Sequence, residues 1–229
     1  MRKIGILGGT FDPVHWGHLL MAQMAVSQLA LDRVIWAIDR SPPHKSRSSL
    51  ASFEHRREML ALAIADRPNF VLAPLLSNPS GTSLAIDTLL YLQNSHPDDR
   101  PYWIIGADAF QTLPKWYRCR EIGAQCDWLV APRPNPGDGE WESGRIGEWG
   151  SGRVGEWEKM QVQTNALGRR VAEQMALLDV QIRWQVLAMP SIEISSSQIR
   201  QYCREGRSIR YLVPEAVITY IAAHQLYRS

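Results

Sequence analysis

One stretch near the start of the chain restricts the fold more than any other: Gly8-Gly9-Thr10-Phe11-Asp12-Pro13-Val14-His15-Trp16-Gly17-His18. A short apolar run, Ile4 to Leu7, precedes it. Behind it, Leu19, Ala22, Val26 and then Leu29 or Ala30 recur with the spacing of one helical face. The order is therefore strand, glycine-rich turn, two histidines, helix. Such a turn suits an anion. Glycine lets the backbone approach closely, a helix N-terminus offers free N–H groups at its positive dipole end, and histidine adds donors that can carry charge.

Alternation of short strands and helices continues down the chain. Strands are expected at Val34–Ile38, Phe70–Leu72, Tyr102–Gly106, Trp128–Val130 and Trp184–Leu187, and helices at Gly17–Ala30, Phe53–Ala65, Ser83–Asn94 and Trp116–Gly123. Strands separated by helices predict an α/β fold, a Rossmann-like parallel sheet with helices on both faces. In such sheets ligands sit at the carboxyl ends of the strands, near the reversal of strand order. The glycine turn, the polar loop after Asp39, Asp108 and Arg133 all follow strands and could converge there. A C-terminal helical segment opens at Ile194-Ser195-Ser196-Ser197-Gln198-Ile199-Arg200, where Ser195 and Gln198 fit a capping box. Pro214 starts the last helix.

Between these parts the composition changes. After Pro132-Arg133-Pro134 comes an eight-residue unit in three copies, Gly139–Ile146, Gly147–Val154 and Gly155–Val162, each with a Gly-Glu-Trp start. Its glycines oppose a helix, and the unit is too short for a solenoid of helices. The expectation is a single domain, residues 1–229, with a weakly ordered surface insertion at about 135–163. Trp141, Trp149 and Trp157 could alternatively form a partner surface. Helical patterning resumes near Thr164.

Charge and cysteine content exclude several classes. A net charge of +2 gives no case for a nucleic-acid surface. Three cysteines without a CxxC pair indicate neither a disulfide framework nor a zinc site. No apolar run approaches membrane-spanning length, and the chain moves straight into a strand, so a cytoplasmic protein without membrane contact is expected. There is no GxxxxGK[ST] P-loop, no GxGxxG fingerprint and no GxSxG elbow. His15 and His18 have no third ligand nearby, so no protein-held metal is expected.

Two helix N-termini, two histidines, the Pro42-Pro43-His44-Lys45 loop and Arg200 point to a polyphosphate site. Donors without a nucleophile suit direct transfer: an attacking phosphate held in line with the α-phosphorus of ATP, and the developing charge stabilised. Magnesium would be carried by ATP phosphates and water.

These residues, with Asp87-Thr88-Leu89, Ile105-Gly106-Ala107-Asp108, Leu113-Pro114-Lys115-Trp116 and Val213-Pro214 leading to Leu226-Tyr227, give a chain that resembles the bacterial nicotinate-nucleotide adenylyltransferases of the T/HxGH nucleotidyltransferase superfamily. The resemblance implies transfer of AMP from ATP to nicotinate mononucleotide, giving nicotinate adenine dinucleotide and pyrophosphate in NAD biosynthesis, with Mg2+. It implies that His18 and His15 meet the ATP phosphates, with His18 first for transition-state stabilisation. Gly8, Gly9, Thr10 and Phe11 would line the nucleotide site, and Ser196, Ser197 and Arg200 would hold the triphosphate. His44 and Lys45 would approach the mononucleotide phosphate. Thr82 would lie near the nicotinate carboxylate, Trp116 would stack on the pyridine ring, and Gly106 and Asp108 would bind ribose. Arg133 is an extra contact. A homo-oligomer is compatible with all of this. The family pattern has no counterpart for the repeats, and Leu84-Ala85-Ile86 departs from it. Rival readings are a nicotinamide mononucleotide or dual-specificity enzyme, and, from another class, a non-catalytic nucleotide-binding or sensor module.

Overall fold

The computed structural model describes residues 1–40, 50–75, 85–132, 152–190 and 192–228. In chain order its elements are β1 (Lys3–Gly9), α1 (Trp16–Leu29), β2 (Arg33–Ile38), α2 (Phe53–Ile64), β3 (Phe70–Leu72), α3 (Ala85–Ser95), β4 (Arg100–Gly106), α4 (Ala107–Phe110), α5 (Cys119–Gln125), β5 (Asp127–Ala131), α6 (Gly152–Ala176), β6 (Arg183–Val186), α7 (Ser196–Arg204) and α8 (Glu215–Ala223). The six strands form one sheet in the order β3-β2-β1-β4-β5-β6. The pairings of β1 with β2 and β4, β2 with β3, and β5 with β6 are all parallel. This is the expected Rossmann-like architecture, and the order reverses between β1 and β4. The turn after β1 therefore leaves the sheet where parallel α/β folds place their ligands.

Contacts divide the chain into two units, Met1–Ile104 with Ile194–Ser229, and Ile105–Glu193. In the first, β1 buries Ile4 to Leu7 without a break and β2 buries Val34 to Ile38. Unbroken apolar runs are what a strand covered on both faces requires. α1 ends at Ala30 in the left-handed conformation (φ 49°), whose N–H returns to the Val26 carbonyl. α2 packs on α8 through His55, whose Nδ1 lies 3.0 Å from the Tyr220 hydroxyl and whose ring meets His224 at 5.1 Å. His96 lies against Arg2, with Nδ1 3.3 Å from its Nη2. These three histidines outside the motifs are packing or surface residues, as their lack of a motif suggests.

The second unit corrects two sequence expectations. A helix over Trp116–Gly123 is expected, but a 3-10 turn takes Leu113–Lys115 and Arg118 adopts a left-handed conformation (φ 55°), so α5 begins only at Cys119. More substantially, α6 begins at Gly152, inside the repeats and well before Thr164. The helix forms there despite the poor propensity of its glycines. Met160, Thr164, Val171 and Met175 are buried at helical spacing, and the Thr164 hydroxyl returns to the Met160 carbonyl at 2.8 Å. Gly168 belongs to the same face. A Cβ there would run into the Trp184 ring, so only glycine lets this strand tryptophan seat on the helix. Residues 133–151, with Trp141 and Trp149, lie outside the described residues. Among the described residues no helix is long and apolar enough to cross a membrane.

Candidate active site

The glycine turn folds over an aromatic ring. A Cβ on Gly9 would meet the Phe11 ring at 3.2 Å. Phe11 itself has φ 47°, a left-handed conformation that costs an L-residue about 1–2 kcal/mol. Its ring, 2% exposed, offsets that cost by packing on Trp36 (5.4 Å) and edge-on against His18 (5.0 Å). Reversing the chain at Phe11 turns the next residue, Asp12, completely inside.

A buried carboxylate is costly unless it is bonded, and Asp12 is bonded by three separate segments. Oδ1 accepts from the Ala51 N–H (3.2 Å) and from the Tyr227 hydroxyl (2.7 Å). Arg200 donates from Nη1 to the Asp12 carbonyl at 2.7 Å and stands 3.6 Å from Oδ2. Burial, followed by the charge of Asp12 and the bond to it, pushes the Tyr227 phenol far up, so Tyr227 remains a donor. The last residues of the chain are thereby fastened beneath the first turn.

Two helix N-termini meet at this turn. His15 is the N-cap of α1, and its backbone N–H donates to His18 Nδ1 at 3.3 Å. By this bond the proton of the neutral His18 ring is assigned to Nε2, which makes that atom a donor. The His15 and His18 rings stack at 3.7 Å. His15 is buried and His18 half-buried, with the small residue Gly17 buried between them. At α7 the Ser195 hydroxyl accepts from the Gln198 N–H (3.2 Å), which is N-capping, while the Gln198 amide turns to Tyr202 (3.1 Å) instead of completing a capping box. Ser196 donates its hydroxyl to the Pro13 carbonyl at 2.9 Å, and Arg200 Nη2 donates to Ser197 Oγ at 3.2 Å. Asp12 and Pro13 thus bind α7 to the start of α1. Both N-termini carry the positive ends of their dipoles.

Sequence reasoning missed one residue of this centre. Arg56 is only 2% exposed, on the buried stripe of α2 with Met59, Leu60, Ala63 and Ile64. It donates to four backbone carbonyls: Thr10 (2.8 Å), Asp39 (2.8 Å), Ala51 (3.2 Å) and Arg40 (3.3 Å). Burial lowers its pKa, and the charges of Asp12 and Asp39 oppose that. The available signal was a basic residue in phase with the apolar face of a helix. Asp12 and Tyr227 were visible within motifs but carried no assigned role.

Of the other sequence candidates, Gly8, Gly9, Thr10, Phe11, His15, His18, Ser196, Ser197 and Arg200 come together in the first unit. Gly106, Asp108 and Trp116 belong to the second. Gly106 ends β4, and a Cβ there would meet nothing within 4 Å. Asp108 is exposed in the first turn of α4. Trp116, half-buried, is held by Nε1 donating to Thr112 Oγ1 (3.0 Å) and by an edge contact with Trp128 (6.0 Å). His44, Lys45, Thr82 and Arg133 lie outside the described residues. Among the described residues no group of three or more His, Cys, Asp or Glu side chains is placed to hold a metal ion.

An apolar parallel sheet with a phosphate-type turn at its switch point, two stacked histidines and a second helix start define a nucleotide-handling α/β protein. Residues 6–202 match the family described as cytidylyltransferase-like. A protein of Nostoc sp. named "Probable nicotinate-nucleotide adenylyltransferase" is 42% identical over 227 residues, covering 99% of this chain and 98% of its own. One of Synechococcus sp. with the same name is 42% identical over 226 residues, covering 99% and 95%. The chain belongs to the cytidylyltransferase-like family, on its nicotinate-nucleotide adenylyltransferase branch. Among solved structures, Plasmodium falciparum nicotinic acid mononucleotide adenylyltransferase complexed with NaAD matches with a TM-score of 0.68 at 20% identity, covering 99% of this chain and 98% of that one, which speaks for a shared fold.

Proposed function

We propose that this chain transfers AMP from ATP to nicotinate mononucleotide, forming nicotinate adenine dinucleotide and pyrophosphate. A phosphate oxygen of the mononucleotide attacks the α-phosphorus, and the bond from that phosphorus to the β-bridging oxygen breaks. No covalent enzyme intermediate is required. The observation that carries this reading is the junction of two helix N-termini on Asp12-Pro13, with the histidine pair at one of them. Such a junction gathers N–H donors where negative charge develops, and donors fixed in advance need no reorganisation in the transition state. The names of the relatives at 42% identity support the same acceptor.

In this reading His18 Nε2–H donates to the phosphate undergoing transfer, and buried His15 fixes the His18 ring by stacking and through its own backbone N–H. The amides of Gly9 to Phe11 and the α7 start with Ser197 receive the triphosphate. Arg200, already bonded to Asp12 and Ser197 through Nη1 and Nη2, acts chiefly by charge and by holding α7 in place. Asp108 accepts from ribose hydroxyls, and Trp116 offers an aromatic face to the pyridine ring. The assignments of His44, Lys45, Thr82 and Arg133 to the mononucleotide rest on the family resemblance. Magnesium enters on the ATP phosphates as part of that substrate. Residues 1–229 work as one nucleotidyltransferase domain, in the cytoplasm.

A pyrophosphate-release assay with ATP, magnesium and each mononucleotide tests the reading. We expect kcat/KM for nicotinate mononucleotide to exceed that for the nicotinamide form by at least about tenfold. A preference for the amide would refute the acceptor, and tight dinucleotide binding without any pyrophosphate release would favour a sensor.

A further inference from the structure

We infer that Arg56 is a positioning residue, one that fixes the phosphate turn after β1 and the exit of β2 as a single rigid body. The inference rests on the transferase reading. Its geometry is unusual for an arginine. The side chain enters from α2, is almost fully buried, and forms no ion pair within salt-bridge distance among the described residues; its partners are backbone carbonyls. Nη1 alone bridges Thr10 and Asp39, both at 2.8 Å. Thr10 closes the glycine turn, and Asp39 follows β2. The Asp39 N–H also donates to the Gly9 carbonyl at 3.0 Å, so the two strand exits are joined twice. Nε and Nη2 extend the clamp to Ala51 and Arg40. Ala51 in turn donates its N–H to Asp12. The Phe53 ring meets two guanidinium groups, with Arg56 Cζ 5.8 Å and Arg40 Cζ 5.0 Å from its centroid.

This arrangement needs a guanidinium. Five N–H groups in one plane, always charged, can span carbonyls on opposite sides. Bonds from a charged donor to buried carbonyls are stronger than neutral ones. A lysine would keep the charge but gather its three donors at one point, and could not reach the Thr10 side and the Arg40 side together. Burying such a group for stability alone is a poor use of a core position, since an apolar side chain there would avoid the desolvation cost. What the arginine adds is a fixed distance between two loops. One loop carries the backbone amides assigned to ATP. The other leads into the segment of His44 and Lys45. Arg56, whose N–H groups are directed at these carbonyls, acts through the two loops.

The test uses the full-length enzyme with Arg56→Lys and Arg56→Met. For Arg56→Lys we expect a folded protein, KM for ATP and for nicotinate mononucleotide each raised at least about fivefold, and kcat lowered about tenfold or more, because misplacement by a fraction of an ångström is felt in the aligned step. A residue that only adds stability would leave both KM values in place and change just the amount of active enzyme. Hydrogen exchange read by mass spectrometry gives a signal that needs no activity: peptides covering residues 9–13 and 38–40 should exchange faster in Arg56→Lys, and those covering β5 should not. Unchanged KM values in the folded variant, or unchanged exchange in those peptides, would overturn the inference. Failure of both variants to fold would overturn it as well, in favour of a purely fold-holding role. An inactive wild-type enzyme would instead refute the transferase reading, and the exchange experiment would still decide the role of Arg56.

Discussion

At the scale of single residues the chemistry depends on how few donors are left to chance. His18 is fixed by a backbone N–H on one ring nitrogen, a stacked imidazole at 3.7 Å and an aromatic edge at 5.0 Å. A donor restrained in three ways is worth most in the transition state, where its bond is strongest. His18→Ala should therefore lower kcat by about two powers of ten or more, with a smaller effect on KM, as measured by pyrophosphate release. Wild-type turnover in this variant would remove His18 from the mechanism. Asp12 shows the complementary case. It is a motif residue completely buried, and its carboxylate accepts from Ala51 and Tyr227. It reads as architecture beneath the turn, not as an acid or base at the phosphates.

Elements are positioned by small residues as much as by large ones. α6 and β6 meet where Gly168 faces Trp184, and an added Cβ would fall within the van der Waals envelope of the indole, which leaves no room for a methyl group. Gly168→Ala has two opposed effects. Alanine favours the helix by about 1 kcal/mol. Displacing the indole costs about 1–3 kcal/mol, as overpacking does, and backbone packed this closely cannot yield cheaply. The net expectation is destabilisation, read as a lower urea midpoint. Combining it with Trp184→Leu should recover part of the loss, because the obstacle is then removed. A Gly168→Ala protein as stable as wild type would show that the ring can move aside.

On the scale of the whole chain, sequence-distant segments are fastened together in the first unit. Arg2 binds Asp99 through Nε (3.1 Å) and Nη2 (2.9 Å), and its backbone N–H donates to the same carboxylate. These bonds hold the Asp99 carboxyl below the usual carboxylate range, the side-chain bond from Arg2 being the largest cause. The sign follows from the lowered folded value: the contribution is present at neutral pH and is lost as pH falls below the ordinary value of 3.8 and through the folded one. Asp99→Asn should lower Tm at pH 7 by no more than a few degrees, since the pair is partly exposed. The gap to wild type should close as the solution is acidified. A gap independent of pH would assign the effect to packing instead of charge.

How much of this was legible beforehand differs from part to part. The strands were readable because a parallel sheet covered on both faces demands unbroken apolar runs, and Ile4–Leu7, Phe70–Leu72 and Trp128–Val130 are such runs. The turn was readable because glycines, histidines and a helix start are local in sequence. Arg56 was not, because its partners Thr10 and Asp39 are brought to it only by folding, and its place in phase with the apolar face of α2 marks burial without saying what it binds. The start of α6 was hidden because glycine-rich repeats argue against a helix, and the close packing of this helix on Trp184 of a later strand, at Gly168, leaves no local pattern in the repeats. Sequence alone determined the sheet, the position of the turn and the resemblance to the family, since these depend on periodicity and short-range motifs. Only the tertiary structure decided that Asp12 is a buried anchor, that α7 is joined to the α1 start through Pro13 and Asp12, and that Arg56 clamps two strand exits. Hydrogen bonds between segments scores of residues apart exist only once the apolar core has brought them together.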